Sequence, residues 1–113
     1  MSAVTHEMNG YIRRCAARGA RHFDRVMPGW ERTVPQTLDV GDGNNCPLYH
    51  ISNLNYFDAL EELGIEEAAG VRLGLDVNQE INCPLFYEVY GVLNLYWRIE
   101  RAKRLKAARR RRQ

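Results

Sequence analysis

The densest group of charged side chains lies at the carboxyl end of the chain. The sixteen residues after Trp97 include nine basic residues and one acidic residue, Glu100. The nine are Arg98, Arg101, Lys103, Arg104, Lys106, Arg109, Arg110, Arg111 and Arg112. Arrays of this kind bind phosphates without reading a base sequence, so the segment predicts contact with a nucleic-acid backbone. Two other interpretations stay open: the cations complement a helix dipole, or they pair with carboxylates of this chain or of a neighbouring copy.

The charge is segregated along the chain. The net charge is +2, but residues 33–97 hold one arginine against ten acids, which gives −9. Residues 98–113 hold nine cations against one acid, which gives +8, and residues 1–32 carry +3. Within the first segment Arg14, Arg18, Arg21 and Arg25 follow helical spacing. They form either a second phosphate-contacting face or the solvent side of an amphipathic helix, and the pattern favours the solvent side.

Cysteine and histidine offer a second candidate chemistry. Cys46 and His50 are four residues apart, on one face of a predicted helix, and Cys15 or Cys83 would complete a metal site. The paired spacing of zinc ligands is absent, so we interpret the cysteines as small, partly buried hydrophobic residues and predict no metal or cofactor. Cys46 and Cys83 also lie near predicted helix starts, where a thiolate is favoured, which makes them candidate reactive thiols.

Three aromatic residues are candidates for a protein interface. The pattern of the last helix places Tyr90 and Trp97 away from its principal apolar stripe, and Trp30 follows a Pro-Gly turn. Large aromatic side chains that one small core cannot hold often anchor interfaces. The alternative is that the connector at residues 30–40 covers them.

The hydrophobic periodicity predicts the elements that carry these residues. With 113 residues, 45% hydrophobic and 27% charged, the composition is typical of one folded domain. We predict a mainly α-helical fold of three main helices and one short helix, spanning residues 3–27, 45–63, 66–73 and 82–108. Residues 30–45 are predicted to form an extended connector with at most one short edge strand. The domain is thus 1–108, and 109–113 form a basic, frayed tail.

The same sequence predicts a reduced, cytoplasmic protein without a membrane span. Three cysteines do not form an even disulfide framework, and the first residues lack an apolar signal core. The most apolar stretch, residues 85–99, is interrupted by Glu88, Asn94 and Arg98. It falls short of the ~20 apolar residues that cross a bilayer.

Several short motifs between residues 19 and 77 resemble those of a known group. They are Pro28-Gly29-Trp30, Thr37-Leu38-Asp39-Val40, Cys46-x-Leu48, Leu63-Gly64 and Leu73-Gly74. Their order and spacing are similar to those of small uncharacterised proteins of actinobacteria and their bacteriophages. The chain has Tyr49-His50-Ile51 where the group has Gly-Gln-Leu, and Leu75 where it has Phe. The resemblance implies a cytoplasmic bacterial or phage origin and carries no known activity.

Three functional hypotheses follow from these observations. The first is a non-enzymatic regulatory protein, phage-derived, whose basic C-terminal helix contacts nucleic acid. The second is a protein-interaction module, a host-modulating or assembly factor that uses the three aromatic residues and the acidic middle to bind a host protein. A hydrolase or thiol enzyme based on Cys46 and His50 is the weakest, because the known catalytic motifs are absent. A homodimer is compatible with either of the first two. It would form through the second apolar stripe of the last helix, which consists of Phe86, Tyr90, Leu93 and Trp97.

Overall fold

The protein is mainly helical, as predicted. The computed structural model describes residues 5–76 and 83–111, of which 83–87 are described by their backbone alone. No strand occurs within these ranges. The helices are α1 (His6–Val26), α2 (Trp30–Thr33), α3 (Pro47–Ser52), α4 (Tyr56–Glu62), α5 (Glu67–Arg72) and α6 (Cys83–Arg111).

Helices α1 and α6 form the framework and run parallel to each other. Asp24 of α1 contacts Arg104 of α6, and Gly19 lies against Trp97, so residue numbers rise together along both helices. Thr5 caps α1 by accepting a hydrogen bond from the Met8 amide at 3.1 Å. At 29 residues, α6 is about 43 Å long. The hydrophobic core fills the space between this pair and the shorter elements.

A close approach of three elements fixes their packing at Gly19. A Cβ atom at this position would overlap the Leu73 carbonyl oxygen and would lie 2.7 Å from the Trp97 ring. At Gly74 the backbone has φ +68°, and an added Cβ would lie 2.9 Å from the Ala16 amide nitrogen. The end of α5 can therefore reach α1 only because these two positions lack side chains.

The two Leu-Gly motifs are helix ends of one type. After α4, Gly64 donates to the Glu61 carbonyl at 3.1 Å and Ile65 to the Leu60 carbonyl at 2.8 Å. After α5, Gly74 donates to Val71 and Leu75 to Gly70 in the same way. These are the two hydrogen bonds of a Schellman motif, and the residue after each glycine is buried. The motifs therefore have a structural explanation.

The prediction of one continuous helix over residues 45–63 is wrong. Two helices, α3 and α4, replace it, because Asn53 adopts a left-handed conformation with φ 61°. Asn55 then starts α4, its side-chain oxygen accepting a hydrogen bond from the Asp58 amide at 3.0 Å. Asparagine tolerates the left-handed region and caps helices well, so both residues favour a break that the apolar spacing conceals.

The predicted connector is partly helical and contains no strand among its residues, all of which the structure describes. Its first four residues, Trp30–Thr33, form α2, and the remainder consists of turns. Val34, Leu38 and Val40 are buried. Gly29, with φ 85°, separates α1 from α2 and redirects the chain toward α6.

The other boundaries are close to the predicted ones. Helix α1 ends before Pro28-Gly29, and α5 covers most of the predicted short helix. Helix α6 continues to Arg111, three residues past its predicted end, so it includes part of the predicted tail. The helix start predicted at residue 82 and residues 112–113 of the predicted tail lie outside the described residues. Within the described ranges, no helix combines the length and apolar character needed to cross a membrane.

Candidate functional site

The basic residues of α6 fall into an inner and an outer set. Arg104 belongs to the inner set: its Nε and Nη2 atoms each lie 2.8 Å from a different oxygen of the Asp24 carboxylate. Its Nη1 atom donates to the Glu100 carbonyl at 2.9 Å and to the Glu100 carboxylate at 3.2 Å. The guanidinium carbon also lies 5.6 Å from the centre of the Trp30 ring. Arg104 is therefore fully used within the protein.

Two more arginines of the inner set hold the connector against α6. Arg101 donates from Nε to the Val34 carbonyl at 2.6 Å, and Arg98 donates from Nη2 to the Leu38 carbonyl at 3.2 Å. These carbonyls follow α2, in a segment of turns that offers few backbone partners. The two side chains thus satisfy acceptors that regular secondary structure would otherwise satisfy.

The electrostatics of Asp24 follow from this arrangement. Its hydrogen bonds from Arg104 lower the pKa of the carboxyl group, and a further bond from Trp30 Nε1, at 2.9 Å, acts in the same direction against the effect of burial. The Asp24 hydrogen bond in turn raises the pKa of Arg104. One carboxylate therefore connects α1, α2 and α6.

The outer set comprises the cations at the far end of α6. Lys106, Arg109, Arg110 and Arg111 are exposed. Among the described residues, none of the four has a hydrogen-bond or ion-pair partner. Arg104 already lies level with Asp24, near the last residue of α1, so the outer set follows the point where α1 ends. Lys103 pairs with Glu100 at 3.0 Å, and Arg112 lies outside the described residues.

The expectation that the two tryptophans are exposed is wrong. Trp30 and Trp97 are both 0% exposed and form an aromatic cluster with Phe23, with ring centroids 5.4–5.9 Å apart. Trp97 donates from Nε1 to the Gly74 carbonyl at 2.7 Å. The spacing of apolar residues in α6 could not predict the burial of Trp97, because more than one apolar stripe of this helix contacts the core. Tyr90 is half-buried and donates to Asp76 at 2.8 Å.

The arginine stripe of α1 has mixed roles. Arg18 donates to the Arg72 carbonyl at the end of α5, at 3.1 Å, and to Cys15 Sγ. Arg25 lies 3.4 Å from Nδ1 of His22, whose pKa is lowered by burial and by Arg25. Arg14 and Arg21 are exposed, without partners among the described residues. The stripe is therefore partly structural and partly solvated.

Cys46 and His50 do not form a reactive pair. The Cys46 thiol is 3% exposed and caps α3 by accepting a hydrogen bond from the Tyr49 amide at 3.4 Å. Burial raises the pKa of this thiol, so the expected activation at a helix start is wrong for Cys46. His50 Nε2 lies 2.7 Å from Asn45 Oδ1 instead. No group of three metal-binding side chains occurs in the part of the chain that the structure describes, and the Cys83 side chain lies outside it.

The structure thus divides the nine predicted phosphate-binding residues. Four lie at or before Arg104: three arginines, Arg98, Arg101 and Arg104, bind protein acceptors directly, and Lys103 pairs with Glu100 beside them. Sequence reasoning missed the partner of Arg104, because Asp24 is 80 positions away and no local spacing relates the two. The four outer cations remain as the candidate site. No protein-family model, curated protein or solved structure matches the chain.

Proposed function

We propose that the protein is a non-enzymatic, cytoplasmic regulatory protein of phage origin that contacts nucleic acid through the end of α6. The observation that carries the proposal is the outer set of cations, Lys106, Arg109, Arg110 and Arg111, which are exposed and have no carboxylate partner among the described residues. Carboxylates of the same molecule would compete with phosphates for these side chains. Because none does so among the described residues, the charges are available to an external polyanion.

The arrangement suits contact with a phosphate backbone and does not suit base readout. Successive residues of a helix are about 100° apart, so the three consecutive arginines, 109–111, point in different directions. Long flexible cations that diverge can follow phosphates along a strand or across a groove. The expected binding is therefore independent of base sequence and sensitive to salt.

The experiment measures the affinity for a fluorescently labelled DNA duplex of mixed sequence as a function of salt. Neutralising four phosphates gives a slope of log K against log salt of about −3.6, so affinity falls about 10²-fold between about 50 and 200 mM salt. The variant Lys106→Gln/Arg109→Gln/Arg110→Gln/Arg111→Gln removes these contacts. Glutamine is a good helix former, so circular dichroism of the variant should match the wild type.

A matched variant controls for the loss of net charge. Arg13→Gln/Arg14→Gln/Arg21→Gln/Arg32→Gln also removes four exposed cations that lack partners among the described residues, but from α1 and α2. The α6 variant should reduce the magnitude of the slope by about 3 to 4, and the control by less than 1. Equal losses in both variants would show a diffuse attraction instead, and a wild-type protein that does not bind would remove the proposal.

The second hypothesis, a protein-interaction module, now depends on a different aromatic residue. Phe57 of α4 is 63% exposed and lies beside Asp58, Glu61 and Glu62, all exposed, in the acidic middle of the chain. A partner bound there would remain associated after nuclease treatment and after the quadruple α6 substitution. Its loss on Phe57→Ala, with the fold intact, would favour the interaction module over nucleic-acid binding.

A further inference from the structure

The outward face of α6 carries an apolar seam that the fold leaves exposed except at Val92, which is half-buried. Val92, Leu95, Ile99 and Ala102 are spaced by three, four and three residues, the a/d spacing of a coiled coil. Leu95 and Ile99 lie two residues before and after the buried Trp97, which places each about 160° from it around the helix. They are 53% and 39% exposed. The contact between α6 and the core therefore does not require Leu95 or Ile99.

A glycine on the border of this seam also indicates that a second helix packs there. Gly91 lies inside α6 and is exposed, and an added Cβ would meet no atom of the described residues within 4 Å. Glycine inside a helix costs about 1 kcal/mol relative to alanine. Neither a turn nor a close contact with the described residues requires it. A second helix packed along the seam would use the space that its missing side chain leaves.

We propose that the seam binds a second copy of this chain, with the two α6 helices antiparallel and the twofold axis at the level of Trp97. Leu95 then faces Ile99 of the other copy, and Val92 faces Ala102. One turn farther out on each side, the exposed Glu88 faces Lys106. The seam is about 27 Å long from Glu88 to Lys106. Every position along it therefore meets an apolar or oppositely charged position.

Charge complementarity selects this arrangement over the alternatives. A parallel pair would place Glu88 against Glu88 and the basic ends side by side. A shift of one heptad in the antiparallel pair would place Leu95 against Lys106. In the proposed register, the basic part of α6, residues 98–111, lies along residues 83–96 of the copy, where Glu88 is the only charged residue. The acid of each copy then meets the basic end of the other, which favours the antiparallel direction.

The residues beside the axis are compatible with the pairing. Arg98 of each copy lies close to the axis, where two guanidinium groups would repel each other. Its Nη2 atom donates to the Leu38 carbonyl of its own chain at 3.2 Å, which turns the charged group away from the seam. Tyr96, on the other border, is half-buried and adds aromatic surface to the contact.

The test measures oligomeric state by sedimentation equilibrium on nuclease-treated protein, so it does not depend on nucleic-acid binding. We expect a dimer for the wild type and a monomer for Ile99→Lys. Phe57→Lys, which places the same charge on an exposed apolar site outside the seam, should leave the dimer unchanged. A wild-type monomer at all concentrations, or equal effects of the two lysine variants, would overturn the proposal.

Charge exchange tests the antiparallel register. Each dimer contains two Glu88–Lys106 pairs, so Glu88→Lys or Lys106→Glu alone should weaken it about 2- to 30-fold, and the double variant should restore it. In a parallel dimer, both single variants would leave like charges facing each other, and the double variant would only exchange them. Failure of the double variant to recover affinity would therefore overturn the register.

Discussion

The contact between Asp24 and Arg104 offers a direct test of whether this arginine is structural. In Asp24→Asn the carboxylate charge is lost, and the amide nitrogen of Asn would face a guanidinium that only donates. The side-chain oxygen can still accept the bond from Trp30 Nε1. The substitution therefore removes the ion pair while largely preserving shape, and it leaves the cations of the outer set untouched.

The exposure of the two side chains sets the magnitude. The Arg104 side chain is 19% exposed and the Asp24 side chain 43%, and two parallel bonds of 2.8 Å join them. Exposed pairs contribute about 0.2–1 kcal/mol, whereas breaking a buried pair costs about 3–5 kcal/mol. We expect a coupling free energy of about 1–2 kcal/mol for this half-buried, bidentate pair. A loss of 1 kcal/mol lowers Tm by about 4–8 °C in a domain near this size.

The direction of the pH effect follows from the lowered pKa of Asp24. A carboxyl group with a lower pKa in the folded state stabilises the fold above its unfolded pKa of about 3.9, and this contribution is lost as pH falls through the folded value. The free-energy difference between wild type and Asp24→Asn should thus be largest near neutral pH and shrink below about pH 4.

Urea unfolding at pH 7 and pH 3 measures both quantities. A double-mutant cycle of Asp24→Asn with Arg104→Met isolates the coupling from the other contacts of either residue. A coupling below about 0.3 kcal/mol, or a difference between wild type and Asp24→Asn that does not change with pH, would refute the reasoning. Arg104 would then belong with the outer set, and Arg104→Met would weaken binding to DNA.

Two further substitutions test the packing and the thiols. Gly19→Ala should destabilise the fold by about 2 kcal/mol or more, because the new methyl group overlaps the Leu73 carbonyl. Gly10→Ala should raise stability by up to ~1 kcal/mol, because among the described residues its methyl group meets only the end of a flexible arginine. Chemical denaturation compares the two, and equal effects would contradict the packing. In a Cys83→Ser background the native protein should react slowly with a thiol reagent at neutral pH. The two remaining thiols, Cys15 and Cys46, are buried, and burial raises the pKa of Cys46. Reaction as fast as in urea would contradict this.

The helical class and the main boundaries were predictable because the relevant signals are local. The spacing of apolar residues in α1 and α6, the Pro28-Gly29 stop and the two Leu-Gly ends all act within a few residues. The break between α3 and α4 depended on Asn53 and Asn55, whose signal is also local. It was missed because the apolar stripe remains in phase across the break.

The burial of Trp30 and Trp97 and the division of the cations were decided by tertiary structure. A helix as apolar as α6 does not reveal which face meets the core; that depends on where α1 and α2 pack. Likewise, all nine cations look equivalent in the sequence. Asp24 reaches Arg104 because α1 and α6 run parallel. The carbonyls of Val34 and Leu38 accept hydrogen bonds from α6 because the connector lacks the regular structure that would otherwise satisfy them. The sequence determined how much positive charge the helix carries, and the packing of distant segments determined which of it remains available.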